Sequence, residues 1–479
     1  QLPLRKDNRL LPPVVSFETG FAARTTAVAG LPYAEFVGDL NKSPSDERDY
    51  RFIRLPNGLV AMVVHDSDES KACASISVNI GSLADPPELQ GLAHFCEHLL
   101  FMGTTKYPKE NEYSEYLSAH GGYSNAYTDL ENTCYYFEVT YDALEGALDR
   151  FSQFFIDPLF TDDCTEREVR AVDSEHKKNI QSDMWRQYQL EKELSSPAHP
   201  FSMFSTGNYD TLMGAAKRMG VDLRQRLLDF HAAYYSSDIM RLVIVGRDSL
   251  DQLTEWAVAK FSPILSKGLT KPLFKGHPLT AAEMGQLVRF RSVRQMRSLD
   301  MTFALPDIKP YYLLKPAHYI GSLLGHEGPG SVLSYLKKRG WATGIVAGRA
   351  PMSADGFDMF CVSVSLTKDG MAHYADVVRA VFAYIRLLQE KGPQRYFYDE
   401  LRRIGAIEYR FMENSEAVTL ASNLAATMQS RYLPPADCLS EGTLLGDFDA
   451  DLLSWVQGFL RPDNVRILLS AHDVSGELD

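Results

Sequence analysis

Gly91-Leu-Ala-His94-Phe-Cys-Glu97-His98-Leu-Leu100 is the stretch that decides how the chain is read. It spells His-x-x-Glu-His inside an apolar run, with Leu92, Phe95, Leu99 and Leu100 at helical spacing. On a helix, His94 and His98 stand one turn apart on one face, where two imidazoles can grip a single metal ion. Glu97 lies three residues beyond His94, so its carboxylate reaches the same side. A zinc ion held by neutral nitrogens keeps its charge and acidifies a water beside it, and a neighbouring carboxylate can take that water's proton. The outcome is a nucleophile fit for a peptide carbonyl. The motif is the inverse of the commoner His-Glu-x-x-His pattern. The competing reading, two packing histidines beside a chance glutamate, has little room in a chain with 12 His among 479 residues.

The bulk properties fit a globular protein of two to three domains. Hydrophobic residues make up 45% and charged residues 23% of the chain, and the formal net charge is −13. That charge argues against a nucleic-acid partner and mildly favours cationic substrates, although on charge alone plain solubility accounts for it better. The six cysteines, Cys73, Cys96, Cys134, Cys164, Cys361 and Cys438, are scattered through apolar stretches. They read as buried free thiols of a reducing compartment. No apolar run approaches membrane-spanning length, so no membrane partner is expected. Asn41-Lys-Ser43 is a glycosylation sequon followed by Pro44, and nothing else reads as secreted. Arg5, Lys6, Arg9 and Arg24 suggest the remains of a transit peptide, a reading that Asp7 and Glu18 weaken.

Residues 1–45 read as an irregular N-terminal segment, with Pro12-Pro13 and a polar run from Asn41. Strands are predicted at Leu59 to His65 and at Cys73 to Ile80, where Ala74, Ile76, Val78 and Ile80 share one face. A helix through Asn111 to His120 stops at Gly121-Gly122, and paired strands follow at Tyr123 to Thr128 and Thr133 to Thr140. Helices are predicted over Tyr141 to Phe155 and Glu166 to Asn179, and a strand over Met240 to Val245. Gly268, Pro272, Gly276 and Pro278 mark 266–280 as a linker.

The second half repeats the first. Ala93-His94-Phe95 with Leu99-Leu100 recurs as Ala317-His318-Tyr319 with Leu323-Leu324. Tyr116-Leu117 before Gly121 recurs as Tyr335-Leu336 before Gly340, and Asp238 with Arg241 recurs as Asp463 with Arg466. The strand at Ala74 to Ile80 has its partner in Leu299, Met301, Phe303 and Leu305. The predicted fold is therefore α+β: two homologous domains, 46–265 and 281–479, each a mainly antiparallel sheet packed against helices. Only the first copy can bind a metal, because Gly321 and Ser322 stand where Glu97 and His98 stand in the first.

Two histidines leave zinc short of a third protein ligand. The region Glu166 to His176 is the expected donor, and on a helix Glu168, Val172, Glu175 and Asn179 share one face. Spacing alone does not choose among Glu168, Asp173, Glu175 and His176. If Glu175 binds the metal, Glu168 sits two turns earlier and can orient a ligand. Cys96 points off the metal face and reads as a core thiol.

At this point a resemblance emerges. Gly81-Ser-Leu-Ala-Asp-Pro-Pro87, His94-Phe-Cys-Glu-His98, Lys106-Tyr-Pro-Lys-Glu-Asn-Glu-Tyr113, Ala171-Val-Asp-Ser-Glu175-His176 and His326-Glu-Gly-Pro-Gly330 together resemble the pitrilysin-like metallopeptidases with the inverted zinc motif. The resemblance runs from about residue 41 to the end. It implies one Zn2+ held by His94, His98 and Glu175, with Glu97 as general base and Glu168 supporting the site. It implies that Asn125, Ala126 and Tyr127 lie on an edge strand to which a substrate adds, and that Phe101 and Trp185 contact substrate side chains. His318, Gly321, Gly325 and Glu327, with the strand carrying Ile345 and Ala347, match an exosite for a substrate's N-terminus. Ala347 departs from the glycine usual there, and Ser322 replaces a histidine of close relatives. The implied activity is zinc endopeptidase action on small peptides such as insulin-like and amyloid-like ones. The implied partners are peptide substrates, a C-terminal half of the same enzyme and a second copy in a homodimer. The implied location is cytoplasmic, with mitochondrial or peroxisomal pools. A mitochondrial processing or presequence peptidase shares His-x-x-Glu-His and is the alternative enzyme. A non-catalytic peptide-binding half is the alternative outside enzymes, and the intact His94, Glu97 and His98 argue against it.

Overall fold

β-Branched and apolar runs build two sheets. A computed structural model describes residues 20–472. The basic and acidic residues at 5–18 and Pro12-Pro13 lie outside the described residues. The first sheet contains β1 (Phe21–Thr25), β2 (Pro32–Phe36), β3 (Asp49–Arg54), β4 (Val60–His65), β5 (Lys71–Val78), β6 (Tyr123–Thr128), β7 (Thr133–Thr140) and β8 (Met240–Gly246). The second contains β9 (Leu287–Arg291), β10 (Arg297–Pro306), β11 (Ala342–Arg349), β12 (Phe357–Leu366) and β13 (Val465–Ala471). No helix or strand lies between the helix ending at Phe261 and β9, the span that contains the predicted linker.

The repeat is visible in the strand order. The first sheet runs β1-β2-β3-β4-β8-β5-β7-β6 and the second β11-β12-β10-β13-β9. From β4 to β6 and from β9 to β11 the pairing is the same: one parallel pair, then three antiparallel pairs, with the last strand of the chain segment inserted second. The first copy adds β1 to β3 beyond this unit. That corrects the expectation of an irregular segment before residue 46. Phe21–Thr25 pairs with Pro32–Phe36 as an antiparallel hairpin, which continues the sheet edge through β3. A short, mixed-polarity hairpin has no strong alternation of its own, so its strand character comes from the edge it extends.

β5 alternates as its sequence suggests, yet both faces are buried. Ala74, Ile76 and Val78 pack with the aromatic helices around Phe95, Phe151 and Phe155. On the other face Cys73, with Met62, Val64 and Val243, packs against Ala417, Ala421 and Leu424 of the helix Ala417–Thr427. That helix belongs to the second half of the chain. The first half returns the exchange with the helix Asp183–Glu193, whose Gln187 side chain donates to Ser470 Oγ at 2.9 Å on β13. Corresponding arginines lock both exchanges. Arg241 on β8 donates to the carbonyl of Met428 at 3.1 Å, and Arg466 on β13 donates to the carbonyl of Leu194 at 2.7 Å. Arg466 also pairs with the Glu191 carboxylate. Each buried guanidinium thus satisfies carbonyls at the end of a helix from the other copy. The exchange brings helix Asp183–Glu193 between the metal motif and the second sheet.

Candidate metal and peptide site

The motif helix is Leu92–Leu100. Its start is set by Gly91, at φ +92°, where a Cβ would fall 2.2 Å from Gly207 Cα, so only glycine fits. The Asp85 carboxylate then accepts from the backbone N–H of Gly91 at 2.7 Å and Ala93 at 2.8 Å. A buried anion therefore satisfies the donors at the N-terminus of the helix that carries both histidines. Burial pushes the Asp85 carboxyl up to about 7, against the pull of those two N–H groups.

The two rings stand edge to face, their centroids 4.8 Å apart. His94 Nδ1 lies 2.6 Å from the Thr206 carbonyl oxygen and His98 Nδ1 lies 3.1 Å from Glu168 Oε2. Both partners are acceptors, so each Nδ1 directs its proton outward and each Nε2 faces Glu175, where it can offer a lone pair to a metal ion once it carries no proton of its own. Glu175 Oε2 is 3.6 Å from both Nε2 atoms. Among the described residues this trio is the one group of three or more ligand-type side chains that converges on a point. Two imidazole nitrogens with oriented rings and one carboxylate are the donor types that suit a zinc ion, with room for further ligands.

The second acidic helix, Asp162–Asn179, begins four residues earlier than predicted, capped by Thr161, whose hydroxyl accepts from the Cys164 N–H at 3.4 Å. Glu168 and Glu175 face the histidines. The other two candidates are engaged elsewhere. Asp173 pairs with Lys177 at 2.7 Å and accepts from the Tyr209 N–H, while His176 lies edge-on to Phe204.

The charges are mutually adjusted. Burial lowers the His94 pKa, and the neighbouring His98 adds to that. For His98 burial also opposes protonation, but hydrogen bonds to Glu168 and Glu175 prevail and raise it to about 10. The His98 hydrogen bond holds Glu175 below the usual carboxylate range. The carboxylates thus stabilise a positive charge at the point where a dication would sit. Glu97 is buried beside them, and its Oε2 accepts from Thr128 Oγ1 at 2.5 Å. Burial pushes its carboxyl up to about 7, with Thr128 and His98 pulling the other way.

A cavity of about 950 Å³ opens over these groups. Phe101, Asn125, Ala126, Tyr127 and Trp185 all line it, together with His94, Glu97, His98, Glu168 and Glu175. β6 carries Asn125 to Tyr127 and, among the described residues, pairs with β7 alone, which leaves its other edge unpaired there. Asp300, Thr302, Cys361 and Leu468 of the second sheet close the far side. Sequence reasoning missed Asp85, Thr128 and Thr206, because a cap, a strand-end hydroxyl and a loop carbonyl have no spacing signature.

The exosite candidates gather at a second cavity of about 750 Å³, lined by His318, Gly321, Gly325, Ile345 and Ala347. Glu327 is the exception: it does not line this cavity, and its exposed carboxylate pairs with Lys337 at 3.2 Å. The loop after Gly325 turns its side chain outward. Gly321 lies against β11 so closely that a Cβ there would be 2.5 Å from the Ala347 carbonyl oxygen. The second copy therefore lacks the room for a glutamate at that position, and Ser322 stands where the second histidine would be.

Comparison with known proteins finds one family along most of the chain. Residues 60–198 match the model for Insulinase (Peptidase family M16), residues 222–404 that for the peptidase M16 inactive domain, and residues 409–479 that for the middle or third domain of peptidase M16. The chain is 44% identical to insulin-degrading enzyme of Homo sapiens over 96% of its length and 45% of that protein. It is 44% identical to the A-factor-processing enzyme of Saccharomyces cerevisiae over 90% of its length and 42% of that protein. The solved structure of pitrilysin superposes with a TM-score of 0.89 at 32% identity, over 94% of this chain and 47% of that one. The chain spans about half the length of the curated relatives it matches. With its repeated sheets, its inverted His-x-x-Glu-His helix and these matches, the chain belongs to the M16 peptidase family.

Proposed function

We propose that this chain is the metal-bearing half of a zinc endopeptidase that hydrolyses peptide bonds in small peptides. The observation that carries the reading is the convergence of His94 Nε2, His98 Nε2 and Glu175 Oε2, with each Nδ1 already engaged by an acceptor. His94, His98 and Glu175 would hold the ion, and Glu168 would fix the His98 ring. A zinc ion in that position supplies a Lewis acid that polarises the carbonyl and acidifies water.

The protein's own residues do the rest. The free edge of β6 receives the substrate as an added strand, so backbone hydrogen bonds set its register irrespective of sequence. Phe101 and Trp185 offer apolar contacts to side chains on either side of the reacting carbonyl. Glu97, in its ionised form, takes a proton from the attacking water and returns it to the departing amine. The walls formed by helix Asp183–Glu193 and the second sheet limit water around the reaction. In the second half of the chain, which we divide from the first at 266–280, no group of ligand-type side chains converges among the described residues. That half offers the cavity around His318 and Gly321 for a substrate's N-terminus.

Insulin-like peptides are the proposed substrates, by similarity to the relatives. The remaining length of those relatives corresponds to a C-terminal half. We take that half as the partner that encloses the substrate and supplies donors to the developing oxyanion, each worth about 10²–10³ in rate. A cytoplasmic location and a homodimer belong to the same reading. The test is zinc stoichiometry combined with peptide cleavage by the full-length protein. About one zinc per chain is expected, and Glu97→Gln should keep the zinc while kcat falls by about 10²-fold or more. A Glu97→Gln protein that still turned over peptide would assign the base to another group.

A further inference from the structure

Resting on the reading of Glu97 as general base, we propose that Thr128 is a positioning residue: its hydroxyl ties one oxygen of the Glu97 carboxylate to the end of the substrate-receiving strand and leaves the other oxygen to face the cavity. The juxtaposition is specific. Thr128 is the last residue of β6, and its Oγ1 lies 2.5 Å from Glu97 Oε2. Side chains alternate along β6, so Tyr123, Asn125 and Tyr127 are exposed while Ser124, Ala126 and Thr128 are half-buried. Thr128 therefore points away from Tyr127 and toward the motif helix.

Proton accounting gives the bond its direction. Thr128 pairs in register with Thr133 on β7, and their hydroxyl oxygens are 3.4 Å apart. The fully buried Thr133 donates its proton to the Ile80 carbonyl at 2.9 Å. It has none left for Thr128, and Thr128's own proton goes to the carboxylate, which in its ionised form can only accept. Thr133 thus braces the strand end from the sheet interior, while Thr128 alone reaches Glu97. Since Glu97 lines the cavity, the oxygen not held by Thr128 is the one available to a water.

The linkage has a functional consequence. Among the described residues β6 is an edge strand held on one side, and a peptide that adds to its other edge would hold it on both. The same strand end that gains order on substrate addition fixes the orientation of the base. Catalysis gains from such preorganisation because a misplaced base loses rate without any loss of binding.

Thr128→Val in the full-length protein keeps the shape and deletes the donor. Expected is a fall in kcat of about 10- to 100-fold, the scale of one hydrogen bond to a charged group, with KM and zinc stoichiometry unchanged. Thr128→Ser restores the hydroxyl and should bring kcat back to within about threefold of wild type. Thr128→Ala is measured alongside, so that a packing fault peculiar to valine is recognised by its melting temperature. The proposal is overturned if Val and Ala variants keep kcat within about twofold of wild type while Glu97→Gln is inactive. It is equally overturned if serine rescues nothing, or if the losses appear in melting temperature and KM with kcat intact. If Glu97→Gln itself remains active, the assignment of the base fails instead, so the two failures are distinguishable.

Discussion

Four residues of one helix could have supplied the third ligand, and their substitution should separate them by zinc affinity. Consider Glu168→Gln. The wild-type carboxylate lies 3.1 Å from His98 Nδ1, and the two side chains are only 16% and 18% exposed, so solvent screens the contact weakly. Glutamine can still accept a hydrogen bond there, but without the charge that raises the basicity of the imidazole. Partners of this kind typically contribute 10- to 100-fold in metal affinity, about 1.4 to 2.7 kcal/mol. Glu175→Gln removes the ligating charge itself and should cost more than Glu168→Gln. Asp173→Asn and His176→Gln, whose side chains are engaged with Lys177 and Phe204, should leave affinity unchanged. Competition with a chelator of known zinc affinity, on the four purified variants at one pH, gives the order directly. If Glu168→Gln binds zinc as tightly as wild type, or if Asp173→Asn loses as much as Glu175→Gln, the proposed ligand set is wrong.

Three further outcomes are expected. In metal-free protein the folded-state pKa of His98 is raised to about 10, above the ordinary histidine value of about 6.5, so protonation stabilises the fold. That contribution is fully present below pH about 6.5 and is lost as pH rises through about 10; the melting temperature of chelated protein should fall across this window, and His98→Gln should flatten the fall. Arg466→Leu leaves the buried Glu191 carboxylate without its partner and frees the carbonyl of Leu194, so it should destabilise the protein by about 3–5 kcal/mol in denaturant titration. A loss of under about 1 kcal/mol would show that the exchanged helix does not depend on it. The 479-residue chain alone should bind zinc yet cleave peptide slowly, and adding the C-terminal half as a separate chain should raise turnover; an isolated chain matching the full-length protein in kcat/KM would place the whole machinery within it.

Features that rest on local spacing were legible along the chain. His94, Glu97 and His98 had to share a helix face because the helical period puts residues three and four apart on one side. The repeat was legible because Ala93-His94-Phe95 and Ala317-His318-Tyr319 keep the same offsets to the same downstream leucines, and the matching strand orders of the two sheets bear it out. What required tertiary structure was every choice among equivalent local options. Glu168, Asp173, Glu175 and His176 lie on one acidic helix, and only its packing against the motif helix turns Glu168 to Nδ1 and Glu175 toward both Nε2 atoms. β5 reads as a strand with one buried face, and only the helix Ala417–Thr427, more than three hundred residues later, covers the other. The hairpin of β1 and β2 has no clear alternation because an edge strand draws its order from its neighbour. Thr128 and Asp85 were invisible for the same physical reason: a hydrogen bond between residues distant in sequence is fixed by where the chain brings them, and no period or composition along the chain encodes it.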